Sequence, residues 1–282
     1  MDKRILILTD FSKEALNAAR YALDLYADRK CTFYFLNTYY ADGYSIDSHN
    51  YTDFGRRTFD NQEPKTEEQF KSLIEVLNLQ SNDPIHTYNT IFANNALLEA
   101  VDDVVAKHDI DIIIMGAKGM TSSRPVAFGM NTINVMENSK ACPVLAIPED
   151  VVFKTPRKIV FPTDYKTPFK RRELKYLINI AGTHGTDIQV IHIKESDKLT
   201  KEQQDNKKLL VTLFKDVDHS FHELNGMTVL EGINAFIERH ESDMVAFINQ
   251  KSNFFSRLVS KPLVKDLGYQ SHVPVLVLRH RV

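Results

Sequence analysis

Short apolar, β-branched runs alternate along the chain with stretches whose apolar positions recur every three or four residues. "RILILT", residues 4–9, is a continuous apolar run, the mark of a strand covered on both faces. After it Ala15, Ala18, Ala19, Ala22, Leu23 and Tyr26 make a helical stripe, with Ser12 placed to cap that helix. Then come "CTFYFLNTY" (strand), "TEEQFKSLIEVLN" (helix) and "IHTYNTIF" (strand). Thr66 and Gln69 predict a capping box at the start of that second helix. "LLEAVDDVVAKH" reads as helix, "IDIIIMG" as a buried strand, "NTINVMENS" as helix and "PVLAIP" as a last strand. Such βαβ alternation implies a parallel sheet with helices on both faces.

The pattern occurs twice. "KRILILTDF" at 3–11 returns as "RKIVFPTDY" at 157–165, and "LEAVDDVVAKHDID" from Leu98 returns ungapped as "LEGINAFIERHESD" from Leu230. "CPVLAI" at 142–147 returns as "VPVLVL" at 273–278. Three matches in one order predict one domain type used in tandem, over 1–150 and 151–282, with the seam near "PEDVVFKTPRK". The first copy carries a polar, Gly-containing insertion, residues 41–65, which reads as a mobile surface loop with a lid as the alternative. The second has only a short link near "KESDKLT".

Composition narrows the function classes. A net charge of -2 supplies no global basic field, and the runs "KTPFKRREL" and "TKEQQDNKKLL" alternate with polar residues as solvated faces do. Nucleic-acid binding is therefore not expected. No apolar stretch approaches the ~18 residues of a membrane span, and the apolar run in "MDKRILILTD" is too short for a signal peptide. The expected location is the cytoplasm, with Cys31 and Cys142 as buried thiols in a reducing compartment. Nucleophile elbow, Walker, C-x-x-C and H-E-x-x-H patterns are missing.

Candidate chemistry concentrates in "MGAKGMTSSRPVAFGMNT", Met115–Thr132, which holds three of the chain's ten glycines. Gly116 and Gly119 follow a buried strand, so they belong at the carboxyl rim of a sheet, where open α/β folds take ligands. Backbone amides there can point at an anion, and Gly129 precedes a helix whose positive end favours phosphate. The spacing alone leaves a second reading open, a tight turn and a helix start with no ligand.

The spacing G-x2-G-x9-G, with "TDFS" ending the first strand and "CPVLAIP" as the last, resembles the universal stress protein family across nearly the whole chain. The resemblance implies an α/β fold of two tandem doubly wound domains. Each would have a five-stranded parallel sheet of order 3-2-1-4-5, the two packed as an intramolecular pseudo-dimer. Apolar last strands make that packing, or a homodimer, an expected use of their edges. One subgroup binds ATP through this loop. For that subgroup the resemblance implies that Asp10, with Thr9 beside it, lies near the ribose or a Mg²⁺ at the triphosphate. Thr38 would offer backbone to adenine, Met115 and Gly116 would line the ribose, and Gly119, Gly129, Met130 and Asn131 would hold phosphates.

Met130 stands where the family usually has Ser or Thr, and a thioether cannot donate to phosphate. The lost bond is worth ~1.5–3 kcal/mol, about tenfold to a hundredfold in affinity. The amide of Met130 survives, and Asn131 or Thr132 are candidates to stand in. In the second copy "INQKSNFFSRLVSKPLVKD" has no glycine, and Phe254 and Phe255 fill the region, so that copy is expected to be structural. Asp164 reads as a helix-entry residue. His219 and His222 lie on opposite faces of a strand, which argues against a metal site, and no metal ligands are assigned. No catalytic residue is assigned either, since an in-line nucleophile and charge clamp are missing. The expectation is a binding protein that senses an adenine nucleotide, with at most slow ATP hydrolysis. The alternative is a ligand-free interaction protein of the same fold.

Overall fold

The structure is a computed structural model that describes residues 2–39, 51–79, 86–119, 128–139, 141–194, 198–249 and 273–279, with 51–61 described by backbone alone. The chain divides into two compact units, Met1–Phe153 and Lys154–Val282.

In the first unit the central strand is β1 (Lys3–Leu8). Its Ile5, Leu6 and Ile7 are fully buried, so side chains on both faces of the strand are covered. Each such burial contributes about 1.5–3 kcal/mol. β1 pairs in parallel with β2 (Cys31–Thr38) on one side and β4 (Ile112–Gly116) on the other. β3 (Thr87–Ala93) lies outside β2 and β5 (Val144–Ile147) outside β4, all parallel, in the order β3-β2-β1-β4-β5.

Four helices connect these strands: α1 (Lys13–Leu25), α2 (Tyr51–Asn78), α3 (Leu97–His108) and α4 (Met130–Asn138). The chain steps from β1 out to β3 and then returns to β4 and β5, so winding reverses between β1 and β4. Right-handed crossovers then put α1 and α2 on one face and α3 and α4 on the other.

Ser12 caps α1, its Oγ accepting from the Ala15 amide at 3.2 Å. α2 departs from the expected start. It runs unbroken from Tyr51 through Pro64, so Thr66 and Gln69 lie inside a helix and make no cap. Residues 51–65 of the expected insertion loop are therefore helical, while 41–50 fall outside the described residues. Thr66, Phe70, Leu73 and Leu77 form the buried stripe that holds α2 in place. Burial of that stripe outweighs the amide that Pro64 removes from the helix ladder, and Arg56, Arg57, Gln62 and Glu63 upstream are adequate helix formers.

The second unit repeats the plan. β6 (Lys158–Pro162), β7 (Asp187–Ile193), β8 (His219–Leu224), β9 (Met244–Asn249) and β10 (Val275–Arg279) alternate with α5 (Arg171–His184), α6 (Lys201–Leu213) and α7 (Val229–His240). Their order, β8-β7-β6-β9-β10, is the same 3-2-1-4-5 arrangement, again parallel.

The repetition extends to single bonds. Asp111 accepts from the Arg4 amide at 3.0 Å, and Asp243 accepts from the Lys158 amide at 3.0 Å. After α3 and α7 the chain turns through left-handed residues, Asp109 at φ 47° and Glu241 at φ 52°. The sequence "TKEQ" at 200–203 matches "TEEQ" at 66–69, and there it is a true capping box: Thr200 Oγ1 accepts from the Gln203 amide, and Gln203 accepts from the Thr200 amide. One four-residue signal thus starts a helix in the second unit and sits mid-helix in the first.

Candidate functional site

The site is built where winding reverses, on the segments that leave β1 and β4. Thr9 continues β1 by one bond, its amide donating to Leu36 O at 2.9 Å. Asn37 Nδ2 donates to Thr9 O at 2.8 Å and fixes the point where the chain turns. The turn is sharp because Phe11 adopts a left-handed backbone at φ 62°, costly for a bulky side chain. Two bonds offset that cost. Thr9 Oγ1 accepts from the Phe11 amide at 3.0 Å, and Asp10 Oδ1 accepts from the Ser12 amide at 3.0 Å. The Phe11 ring packs edge-on against Phe70 of α2, with centroids 5.1 Å apart.

That turn aims the second carboxylate oxygen of Asp10 at the glycine loop. A Cβ added to Gly119 would lie 2.7 Å from Asp10 Oδ2, so any larger residue there requires the Asp10 carboxylate to move. Gly116 is small for a different reason: a Cβ there would meet Lys118 O at 2.9 Å and the Glu14 backbone of α1 at 3.2 Å. Gly129 begins α4 beside the Gly119 amide nitrogen, 3.8 Å from where a Gly129 Cβ would sit, and its own amide donates to Ala117 O at 2.8 Å. As N-cap it has no side chain to bond the first-turn amides of α4.

The remaining expected residues fall as follows. Met115 ends inside the sheet with its side chain buried, so only its backbone reaches the rim. Thr38 closes β2, next to β1 on the side away from β4. Met130 projects from the first turn of α4 with 84% of its surface exposed, and Asn131 is exposed beside it. Thr132 does not stand in for the missing hydroxyl. It is buried, and its Oγ1 donates to Gly116 O at 3.0 Å, which staples α4 to the end of β4. The bridge of the loop, Met120–Ala127, lies outside the described residues. Thr9, Asp10, Gly116, Gly119 and Gly129 are thus gathered at one rim, with Met130 and Asn131 at its edge.

Asn37, Phe11 and the positioning role of Thr132, named above only as a stand-in for the hydroxyl, are what sequence reasoning missed. The first two have a signal in the repeat, because the second unit builds the same turn. The Thr163 amide donates to Ile191 O at 2.9 Å, Thr163 Oγ1 accepts from the Tyr165 amide at 3.0 Å, and Tyr165 is left-handed at φ 56°. His192 Nδ1 takes the place of Asn37, 2.9 Å from Thr163 O. Asp164 accepts from the Lys166 amide at 2.9 Å, whereas α5 begins only at Arg171. Asp164 is therefore a turn residue and not a helix-entry residue, because "KTPFK" intervenes and Pro168 disfavours a helical conformation at Thr167.

Here α6 covers the turn. Gln203 Nε2 donates to Asp164 O and Asn206 Nδ2 to Tyr165 O, both at 2.8 Å, and Tyr165 is 1% exposed. The segment with Phe254 and Phe255 lies outside the described residues.

A sequence profile described as the Universal stress protein family matches residues 1–148, just over half of the chain. The chain belongs to the universal stress protein family. Three solved structures of similar length share its fold. A universal stress protein from Archaeoglobus fulgidus DSM 4304 is 18% identical at a TM-score of 0.60, over 98% of this chain and 96% of that one. A functionally unknown protein from Pseudomonas aeruginosa PAO1 is 13% identical at 0.59, over 99% and 92%. The cytoplasmic domain of a prokaryotic cation chloride cotransporter is 9% identical at 0.53, over 99% and 95%. No curated protein matches the sequence.

Elsewhere in this universal stress protein, titratable groups serve the fold. Both cysteines are buried, and burial pushes the Cys31 thiol up to about 11. His222 is held below the ordinary imidazole range, first by burial and then by His240, with ring centroids 5.6 Å apart. Among the described residues no group of three or more His, Cys, Asp or Glu is placed to hold a metal, and no helix is long and apolar enough to cross a membrane.

Proposed function

We propose that the first unit binds an adenine nucleotide, ATP with Mg²⁺, at the rim between β1 and β4. The protein then acts as a nucleotide-responsive stress-type binding protein. The observation that carries the reading is the approach of the Gly119 backbone to Asp10 Oδ2, beside the uncapped start of α4. Free first-turn amides and the positive end of a helix suit a phosphate chain, and a carboxylate beside them suits a ribose hydroxyl or the magnesium of the triphosphate. Thr38 offers backbone to adenine, Met115 and Gly116 line the ribose, and Gly119, Gly129, Met130 and Asn131 face the phosphates. No side chain is assigned to activate water, so hydrolysis is at most slow. The second unit is structural, its turn covered by Gln203 and Asn206.

Equilibrium binding of labelled ATP to the wild-type chain and to Gly119→Val tests the reading, with circular dichroism to confirm folding. Wild type binds, and the variant binds at least about tenfold more weakly, because its side chain displaces Asp10 from the site. Equal affinities would remove the site. One observation favours a second reading, a ligand-free interaction protein. Met130 supplies no hydroxyl, and the nearby Thr132 hydroxyl is committed to Gly116 O. On that reading ATP leaves the melting temperature unchanged.

A further inference from the structure

The nucleotide reading gives Met130 only a backbone role, yet its side chain is the most exposed methionine among the described residues. It is 84% exposed, against 39% for Met227, 6% for Met115 and 0% for Met136 and Met244. We propose that Met130 is an oxidation site through which a peroxide lowers the nucleotide affinity of the first unit, an inference that rests on the reading above.

The chemistry needs only the peroxide. A lone pair on Met130 Sδ attacks one peroxide oxygen, the O–O bond breaks as the S–O bond forms, and the departing oxygen leaves as water after proton transfer. Sulfur loses two electrons and the peroxide gains them. Access selects the residue, because Met115, Met136 and Met244 are enclosed by the core that a peroxide would have to enter.

Position gives the oxidation its consequence. Met130 is the first residue of α4, directly after the N-cap Gly129, which in turn lies beside Gly119 and so beside Asp10. A thioether there is nearly indifferent to a phosphate. A sulfoxide carries a strongly polar oxygen that accepts hydrogen bonds and donates none. On the first turn of a helix that oxygen competes with phosphate for the same amides and the same positive end. With 84% of its surface exposed, the flexible side chain has little packing to lose among the described residues, so the change acts on the ligand and not on the fold.

The full chain is treated with hydrogen peroxide at graded dose, and sulfoxide is mapped by mass spectrometry of the methionine peptides. ATP affinity is measured before treatment, after it, and after repair by methionine sulfoxide reductases. Met130 is expected to oxidise ahead of Met227 and far ahead of Met136 and Met244. ATP affinity then falls about threefold to tenfold, the worth of one neutral hydrogen bond, and repair restores it. Met130→Leu stays insensitive to peroxide, while Met227→Leu responds as wild type does. Oxidation of Met130 no faster than of Met136 overturns the proposal, as does unchanged affinity in an oxidised protein whose reduced form binds ATP. A reduced protein that fails to bind ATP is a separate result, which removes the nucleotide site and this control of it together.

Discussion

The backbone of Gly119 lies directly against the carboxylate of Asp10, so close that a single added methyl carbon would stand 2.7 Å from Oδ2. These residues are 109 positions apart in sequence (119 − 10) and meet because they leave adjacent strands at the point where winding reverses. That contact makes Gly119 and Gly129 unequal. Gly119→Ala should weaken ATP binding measurably in a titration, whereas Gly129→Ala, whose Cβ would meet only ordinary contacts at 3.7 Å or more, should keep its amides in place and bind within a few-fold of wild type. Equal losses in the two variants would contradict the geometry.

Thr132 is expected to matter for stability rather than for ligand. Its buried hydroxyl donates to Gly116 O, so Thr132→Val deletes that bond and leaves a carbonyl without a donor at the end of β4. Urea unfolding should show a loss of about 1–3 kcal/mol. A neutral result would mean that the carbonyl finds water.

The cap of α1 makes a similar claim with a different partner. Ser12→Ala removes the acceptor of the Ala15 amide and should cost about 1 kcal/mol, read as a shift in the urea midpoint at unchanged slope. Thr66→Ala gives the contrast. Thr66 lies within α2 and caps nothing, so any loss there should track its burial alone.

Alkaline pH should expose Cys31. Its thiol is pushed up to about 11 from 9.0 by burial, so the folded state keeps the proton where the unfolded chain releases it. The stability it contributes is complete below pH 9 and is lost as pH rises toward 11, by up to about 2–3 kcal/mol. Cys31→Ala should flatten that part of the stability curve, and thiol reagents at pH 8 should label wild type only in denaturant.

His222 works on the acid side. Its imidazole binds protons less readily than the ordinary 6.5 value, because burial and then His240 disfavour the charge, while Asp187 partly opposes them. Folding is therefore favoured above that value and weakened as pH falls below it. His222→Gln should keep more of its pH 7.5 stability at pH 5.5 than wild type does, and an identical decline in both proteins would discard the assignment.

The sheet was legible because its inner strands are continuous apolar runs and three stretches of the first copy return in order in the second. Ser12 was legible as a cap, and Gly129 as the residue before a helix, for the same local reason. The start of α2 was not, because a capping box is a local preference worth about one cap and the buried stripe through Thr66, Phe70 and Leu73 belongs to a longer helix. The identical signal at Thr200 functions because the described residues directly before it, Lys198 and Leu199, are not helical. Nor did the sequence reveal how Asn37 and Phe11 shape the rim. A side-chain bond across neighbouring strands and a left-handed phenylalanine leave no periodic trace.

The left-handed turn after the central strand survives in both halves, at Phe11 and Tyr165, with its own hydroxyl and carboxylate bonds each time. In each copy these bonds are made within the turn itself. A lineage could therefore discard the glycines of one half without unravelling it, and selection on ligand and selection on architecture would act on separable residues.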